Sequence, residues 1–333
     1  MKRYGIPYKG SKNFIAEKIV DVLPQASTLY DVFAGGCAVT HAALVKNKFK
    51  HYVINDLNDA TDLFIRALNG EKFPIDWVSR DEFFKRKDVD PFVRVFWSFG
   101  YNEREYLYGR KIEPYKKACH DAIVNNDCSG LKTLCPEVYD TAVEVLNALK
   151  GKDIHERRLA LGRAIVLHLK LHSDLPTVLN NPLYMSVQWK DGKKSVANLK
   201  DLSTMSRMQI CESLTRMSSL QQLLQKPCDT SNITVLRQPY DTLKFDDPLG
   251  VIYCDPPYKG TEQYRVNGKR ASFDYEAFYL WCEKQTLPVY ISEYNMPEDR
   301  FICVAEFNKL QTICATKTKT VVERLYRPWA QVR

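Results

Sequence analysis

The sequence lacks a long apolar run. None of its 333 residues falls in an uninterrupted apolar stretch of about 18 or more, so no transmembrane helix is expected. The basic N-terminus has no apolar segment behind it, which argues against a secretory signal. Ten cysteines are present, but no Cys-x-x-Cys pair and no Cys/His spacing typical of zinc. We therefore expect a cytoplasmic protein with reduced thiols and no metal site.

The composition excludes two further classes. A hydrophobic share of 45% with 26% charged residues is ordinary for a globular protein, so disordered and fibrous proteins are excluded. Internal repeats and low-complexity tracts are also absent. The length allows one large or two medium domains. A net charge of +8 permits a nucleic-acid partner without requiring one.

Both ends of the chain alternate strands and helices. The N-terminal end predicts a helix capped by Ser11, then a strand, a glycine turn, a helix and a second strand, which is a βαβ unit. The C-terminal end predicts two more strands, a helix capped by Ser272 or Asp274, and a terminal hairpin. We expect residues 1–70 and 232–333 to form one discontinuous α/β domain around a single sheet.

The middle of the chain, residues 71–231, is helix-rich and basic, and we interpret it as an insertion. Between residues 155 and 216 it has ten Lys or Arg against five Asp or Glu. The dipeptide Asp191-Gly192 predicts a β-hairpin over residues 186–196, because both turn positions require positive φ. A second basic cluster at 104–117 is partly offset by Glu103, Glu105 and Glu113, and predicts a charged helix face.

The most specific motif, Asp255-Pro256-Pro257-Tyr258, follows a hydrophobic strand. Two prolines cannot donate ladder hydrogen bonds, so the strand ends there and the backbone is stiff. A carboxylate, a proline carbonyl and an aromatic face together suit a planar ring that bears an exocyclic amine. The alternative interpretation is a plain proline turn after a strand.

Two weaker motifs lie near the N-terminus. The first is the glycine-rich βα turn at residues 31–37, in which glycines permit close approach to a ligand; Asp56, after the next strand, is positioned to hold a ribose diol. No Gly-x-Gly-x-x-Gly is present, so a dinucleotide site is not expected. The second is the segment 7–12, where lysines adjoin a predicted helix N-terminus. Taken alone, the glycine-rich turn also fits tight packing between a helix and a strand, and segment 7–12 also fits an ordinary capped helix.

Together and in this order, the motifs resemble the Dam-like N6-adenine DNA methyltransferases, which use S-adenosylmethionine (AdoMet). The resemblance covers Tyr8 to Lys12, the loop at 31–40, Asp56 and the motif at 255–258, with further likeness at 98–100, 260–274, 291–294 and 322–326. The insertion between the glycine loop and the Asp-Pro-Pro-Tyr motif is similar to the α arrangement of this family. It implies a Rossmann-like AdoMet-binding sheet with an inserted DNA-recognition domain.

The resemblance also implies residue roles. Asp255 and the Pro256 carbonyl would hold the adenine N6 amine, Pro257 would stiffen the corner, and Tyr258 would stack on the base. The implied cofactor-binding residues are Tyr8, Lys12, Asp31, Phe33, Ala34, Gly35, Gly36, Cys37, Asp56, Tyr240 and Asp255. One departure concerns the family's acidic-aromatic pair before the Asp-Pro-Pro-Tyr strand. This sequence has Pro239-Tyr240-Asp241 at that place. Tyr240 would keep the aromatic contact with the cofactor's adenine, whereas the order of residues does not support an acid contact from Asp241.

The resemblance implies double-stranded DNA as the partner, a monomeric enzyme and no association with a membrane. It is also compatible with a partner restriction endonuclease. The predicted DNA-binding side chains lie on the 186–196 hairpin and on a basic loop after the proline corner: Trp189, Lys190, Lys193, Lys194, Lys259, Arg265, Lys269 and Arg270. We expect that loop to close over the flipped base.

Four alternatives remain open from the sequence. Pro227-Cys228 would serve a cysteine-nucleophile cytosine methyltransferase, although no supporting motif surrounds it. Methylation of cytosine N4 uses similar chemistry, as does methylation of an RNA or protein amine. A DNA-binding relic without activity is the fourth, and it predicts loss of the cofactor residues, which are present.

Overall fold

The computed structural model describes residues 2–171, 189–190, 193–194, 208–224, 230–260, 265–314 and 317–332. These residues divide into two compact units. The first contains Met1–Lys72, Lys85–Arg104 and Arg216–Arg333, and the second contains Phe73–Phe84 and Glu105–Thr215. Residues 85–104 and 216–231, which the sequence pattern placed in the insertion, thus group with the first unit.

The strands are, in chain order, β1 (Thr28–Asp31), β2 (His51–Asn55), β3 (Trp189–Lys190), β4 (Lys193–Lys194), β5 (Ile233–Leu236), β6 (Val251–Cys254), β7 (Arg265–Val266), β8 (Lys269–Arg270), β9 (Val289–Glu293), β10 (Phe301–Cys314) and β11 (Lys317–Pro328). Among the described residues, seven of them form one sheet in the order β10-β11-β9-β6-β1-β2-β5. The run from β9 to β5 is parallel, and the β10–β11 hairpin is antiparallel. The prediction that both chain ends build one sheet is confirmed.

The helices are α1 (Ala16–Val22), α2 (Ala38–Val45), α3 (Ala60–Leu68), α4 (Arg80–Arg86), α5 (Pro91–Phe96), α6 (Glu113–Asn125), α7 (Ser129–Leu134), α8 (Pro136–Ala148), α9 (Ile154–Leu171), α10 (Gln209–Ser218) and α11 (Tyr275–Lys284). In the part of the chain that the structure describes, no helix is both long and apolar enough to cross a membrane.

The central strands are buried on both faces, as expected for a parallel sheet covered by helices. All four residues of β6 are buried, and they alternate between two hydrophobic clusters. Val251 and Tyr253 join a cluster with α1 and α2. Ile252 and Cys254 join the other cluster, which includes Phe278 of α11. The first unit is therefore layered, helix–sheet–helix, and this mixed α/β architecture is compatible with a methyltransferase fold.

The starts of α11 and α1 differ in whether they have the N-cap residue that the sequence predicts. Asp274 caps α11, where its Oδ1 accepts a 3.0 Å hydrogen bond from the Ala277 N–H. The cap predicted at Ser11 is wrong, because α1 begins only at Ala16 and Ile15 holds the cap position. A turn precedes the helix, with the N–H groups of Ile15 and Ala16 donating to the Lys12 carbonyl. Lys12 thus lies before the helix, within a turn.

The second unit is held together partly by one buried arginine. Arg157 of α9 is 5% exposed, and its guanidinium donates to the carbonyls of Ile123 at 2.6 Å and Ala122 at 3.0 Å. Because this cation is buried, it cannot contribute to a basic surface, although the sequence count included it. Lys116, counted in the 104–117 cluster, is also buried, so that cluster is not simply an exposed charged face.

Candidate active site

Acidic residues stand at the carboxyl ends of four neighbouring parallel strands. Asp31 ends β1 and Glu293 ends β9, while Asp56 and Asp255 directly follow β2 and β6. The strand order reverses between β1 and β6. Because open α/β sheets bind ligands outside the carboxyl ends of strands at such a point, this edge is the candidate site.

A cavity of about 490 Å³ opens at this edge of the first unit, a size typical of small-molecule sites. Its lining brings together residues that are far apart in sequence. It includes these sequence-predicted residues: Tyr8, Lys12, Asp31, Phe33, Ala34, Gly35, Gly36, Asp56, Asp255, Pro256, Pro257, Tyr258 and Arg265.

The glycine loop packs against the N-terminal segment without space for side chains. A Cβ on Gly36 would lie 2.7 Å from the Tyr8 Cβ and 2.9 Å from the Ile6 carbonyl oxygen. The Ile6 N–H donates to the Gly36 carbonyl at 2.9 Å. The N-terminal segment therefore forms a wall of the cavity only because residue 36 lacks a Cβ.

Cys37 and Tyr240 lie outside the cavity lining that the described residues form. Cys37 takes φ of 55° before α2 and is fully buried, with its thiol directed to the Gly35 carbonyl at 3.8 Å. The Tyr240 ring packs against Phe33, with centroids 5.6 Å apart, and against Phe278. Tyr240 thus supports the ring of Phe33, which lines the cavity. In this structure Cys37 and Tyr240 both contribute through packing.

Asp31 has a buried carboxylate whose two oxygens differ in their hydrogen bonding. Its Oδ2 accepts a 2.6 Å hydrogen bond from the Thr40 hydroxyl. Its Oδ1 has no hydrogen-bond partner among the described residues. Burial raises the pKa of Asp31 to about 7, against the hydrogen bond from Thr40. Such an oxygen at the edge of a cavity suits a cationic or hydrogen-bond-donating ligand.

Asp56 joins the ends of β1 and β2. Its Oδ2 accepts the Gly35 N–H at 2.8 Å, and its Oδ1 accepts the Asn58 N–H at 2.7 Å. Burial raises the pKa of Asp56 to about 6, and these two hydrogen bonds oppose the rise. The predicted ribose-binding acid therefore also fixes the glycine loop.

Glu103 forms a cavity wall that the sequence pattern did not predict. Its carboxylate accepts the Asn58 amide at 2.9 Å, and Arg94 lies 3.4 Å away. The same Asn58 amide lies 3.0 Å from the Tyr8 hydroxyl. Glu103 is 5% exposed, and burial raises its pKa. From the sequence, Glu103 is only one of the acids that offset a basic cluster, because the sequence does not distinguish a buried acid from an exposed one.

The proline corner holds an ion pair. The Lys12 Nζ lies 2.6 Å from both carboxylate oxygens of Asp255 and 3.0 Å from Glu323 Oε1. Burial alone would lower the pKa of Lys12, but the two carboxylates outweigh it and hold the pKa above its ordinary value. Lys12 therefore pairs directly with the predicted catalytic acid.

Tyr258 is fixed at its hydroxyl and its ring. The hydroxyl donates a 2.5 Å hydrogen bond to Glu323 Oε1, and the ring meets the edge of Tyr294 with centroids 4.8 Å apart. The Lys12 Nζ lies 4.7 Å from the Tyr258 ring centroid. The resemblance included the segments of Glu323 and Tyr294 without assigning them roles, and the structure places both at the cavity.

Residues 8–163 match the D12 class N6 adenine-specific DNA methyltransferase family. The resemblance to Dam-like enzymes inferred from the motifs is thereby confirmed over that range. No curated protein matches the chain. The family implies DNA adenine methyltransferase activity, DNA as substrate and use of AdoMet.

The D12 class match covers only part of the site. It contains Tyr8, Lys12, the glycine loop and Asp56, and it ends before the proline corner at 255–258. The cavity places that corner beside the matched residues, with the Lys12–Asp255 ion pair spanning 243 positions of sequence. The family match therefore does not extend to the proline corner, whose role stays a prediction.

The basic loop after the corner forms a short hairpin, β7–β8, in its described part. Asn267 at its turn accepts a 3.1 Å hydrogen bond from the Asp59 N–H, and Arg265 lines the cavity. Lys259, Lys269 and Arg270 are exposed. Residues 261–264 lie outside the described residues, and closure of this loop stays a prediction.

The other predicted DNA contact lies in the second unit. Trp189–Lys190 and Lys193–Lys194 pair as antiparallel strands, in agreement with a hairpin; the turn residues 191–192 lie outside the described residues. Contact between this hairpin and DNA stays a prediction.

Proposed function

We propose that the chain is a site-specific DNA methyltransferase that transfers a methyl group from AdoMet to the N6 amine of an adenine flipped out of duplex DNA. The observation that carries the proposal is the position of Asp255. Its carboxylate and the rigid prolines share one cavity with the glycine loop of a chain whose N-terminal part matches an adenine methyltransferase family.

The cavity suits AdoMet on two counts. The unpartnered Oδ1 of Asp31 (among the described residues) is an acceptor that the cofactor's ammonium or an ordered water would satisfy. Gly35 and Gly36 keep the loop free of side chains where Tyr8 and Phe33 line the space. We assign Asp31, Asp56, Phe33 and Tyr8 as the residues that hold it. When bound, AdoMet supplies an electrophilic methyl group on a sulfonium.

The protein has to make the adenine N6 amine, which is a poor nucleophile, reactive. The lone pair of the adenine N6 is conjugated with the ring. Asp255 and the Pro256 carbonyl accept hydrogen bonds from the two N6–H groups, which favours a pyramidal nitrogen with an available lone pair. The prolines fix both acceptors in advance, so positioning and electrostatics supply most of the rate.

The target base must first leave the duplex, which costs roughly a few kcal/mol. Stacking on Tyr258 would return about 1–3 kcal/mol of this. The Tyr258 ring is held in place by its hydrogen bond to Glu323. We propose that residues 71–231 and the β3–β4 hairpin contribute phosphate and base contacts, and that the β7–β8 hairpin contributes cations beside the cavity.

The test is methyl transfer from labelled AdoMet to duplex DNA, RNA and protein in parallel. We expect label in DNA only, released as N6-methyladenine on nucleoside analysis. Label on cytosine N4, on RNA or on protein would replace the proposed substrate with one of those alternatives. AdoMet binding without turnover on any polymer would favour the non-catalytic relic. Duplex from an unmodified source serves as substrate, and the same DNA methylated to completion serves as control.

A further inference from the structure

Glu323 is a nearly fully buried carboxylate in the cavity, and in the reaction outlined above its only part is to hold the Tyr258 ring. It lies on β11 and is 1% exposed. Its Oε1 contacts two groups of the corner, the Lys12 Nζ at 3.0 Å and the Tyr258 hydroxyl at 2.5 Å. A buried carboxylate costs free energy unless it is paired, so its position calls for a physical explanation.

Lys12 occupies the position that the substrate needs. Its ammonium lies 2.6 Å from both Asp255 oxygens, and such an N–H to carboxylate contact is the one that the adenine N6 amine would make. A carboxylate held at both oxygens by an ammonium is a weak acceptor for a neutral amine. We therefore expect Lys12 to release at least one Asp255 oxygen when the amine binds as proposed.

Releasing Asp255 would leave a buried cation that needs another carboxylate to balance its charge. Lys12 is 6% exposed, and separating a buried ion pair is strongly unfavourable because the remaining charge is uncompensated. Two other carboxylates lie nearby. Glu293 already accepts the backbone N–H groups of Tyr294 at 2.7 Å and Lys259 at 3.1 Å. Glu323 is already within ion-pair distance of Lys12, so a small displacement would transfer the cation to it.

We propose that Glu323 is a positioning residue, which receives Lys12 when Asp255 binds the adenine amine and fixes the Tyr258 ring through the same oxygen. The proposal rests on the proposed function. It makes Lys12 a counter-ion shared by two carboxylates: paired mainly with Asp255 in the free enzyme and with Glu323 in the DNA complex. Among the described residues, the groups that face Lys12 include Asp255, Glu323, the Tyr258 ring and the Gly10 carbonyl. At longer range they include Glu293 and Tyr294.

The test is Glu323→Gln, which removes the charge and keeps the shape. We expect kcat/KM for unmodified duplex DNA to fall at least tenfold, mainly through a higher KM, with AdoMet affinity unchanged. Since one of the two carboxylates that raise the pKa of Lys12 is gone, the lysine should lose its proton at lower pH. Activity of the variant relative to wild type should therefore rise toward alkaline pH, which a merely structural role would not produce.

Three further variants complete the design. Glu323→Asp keeps the charge and should restore part of the activity. In a Lys12→Met background, Glu323→Gln should cost much less than it does alone, because the cation that it positions is absent. Glu306→Gln removes an exposed carboxylate that pairs with Arg324 at 2.6 Å on the neighbouring strand, and should leave activity unchanged. Thermal denaturation of each variant reports folding.

Wild-type kcat/KM in Glu323→Gln would overturn the inference while leaving the proposed function intact. So would a loss that is the same at every pH and equally large in the Lys12→Met background. A wild-type enzyme that does not methylate adenine would overturn both.

Discussion

The backbone N–H of Gly35 donates a 2.8 Å hydrogen bond to the Oδ2 of Asp56, which ties the loop after β1 to the end of β2. The second oxygen of Asp56 accepts the Asn58 N–H. One carboxylate therefore sets the shape of the glycine loop, to which we assign the proposed cofactor, and it also lines the cavity. Loop geometry and cofactor affinity should consequently change together when Asp56 is altered.

Asp56→Asn tests this coupling. An amide offers one acceptor where the carboxylate offers two, so one buried backbone N–H loses its partner at a cost of about 1–3 kcal/mol. We expect a lower melting temperature and weaker AdoMet binding, measured by thermal denaturation and calorimetry. Asp62→Asn on α3 is the control, because Asp62 is partly exposed in a surface pair with Arg237 and should change stability little. Unchanged affinity in Asp56→Asn would contradict the role.

Asp255→Ala separates binding from chemistry. Removal of the carboxylate takes away the acceptor for the N6 amine, so methyl transfer should fall below detection. AdoMet binding should persist, because Asp31, Asp56 and the glycine loop are unchanged. Product formation and calorimetric binding measure the two effects. A variant that methylates at the wild-type rate would remove Asp255 from the catalytic role.

The sequence predicted the parts of the site that rest on strand ends. Asp31, Asp56 and Asp255 follow short β-rich runs, and the carboxyl ends of parallel strands must meet at one edge of the sheet. The hairpin at Asp191-Gly192 followed from turn chemistry alone. These predictions need only local patterns and one topological rule.

The remaining parts depended on which side chains become buried. Glu103 looked like one charge in a mixed surface cluster, and Arg157 looked like one cation in a basic segment, yet both are buried. The role of Lys12 as the partner of Asp255 depends on a turn before α1, where a helix was predicted from Ser11. Tertiary pairing of charges has no local sequence signal, so the Lys12–Asp255–Glu323 cluster became visible only in the structure.

Cofactor binding should depend on pH through Asp31. Burial raises its pKa from 3.8 to about 7, so the folded protein binds more protons than the unfolded chain between these values. Stability without cofactor should therefore be lost as the pH rises from about 4 to about 7. A cationic ligand favours the carboxylate, so AdoMet affinity should rise as the pH increases from about 6 to about 7, below the range in which an α-ammonium group loses its proton.

The variant Asp31→Asn isolates this effect. Because an amide does not titrate, its contribution to both pH dependences should disappear, leaving those of Asp56 and other acids. Calorimetric titrations and melting curves at matched pH values provide the comparison. A pH dependence of AdoMet affinity that is the same in Asp31→Asn and in wild type would contradict the assignment of Asp31.

The β3–β4 hairpin should contribute to DNA affinity through its charge. Lys193→Ala and Lys194→Ala each remove one cation, and a lysine that contacts a phosphate releases about one counterion on binding. We expect weaker binding to duplex DNA of any sequence, with the slope of log K against log salt reduced by about one for each phosphate that is no longer neutralised. Fluorescence anisotropy across a salt series measures this slope.

Lys117→Ala on α6 is the matched control, because Lys117 already pairs with Asp121 at 2.6 Å. A salt slope in both hairpin variants equal to that of the wild type would exclude the hairpin from the DNA interface, and the phosphate contacts would then have to come from the cations beside the cavity.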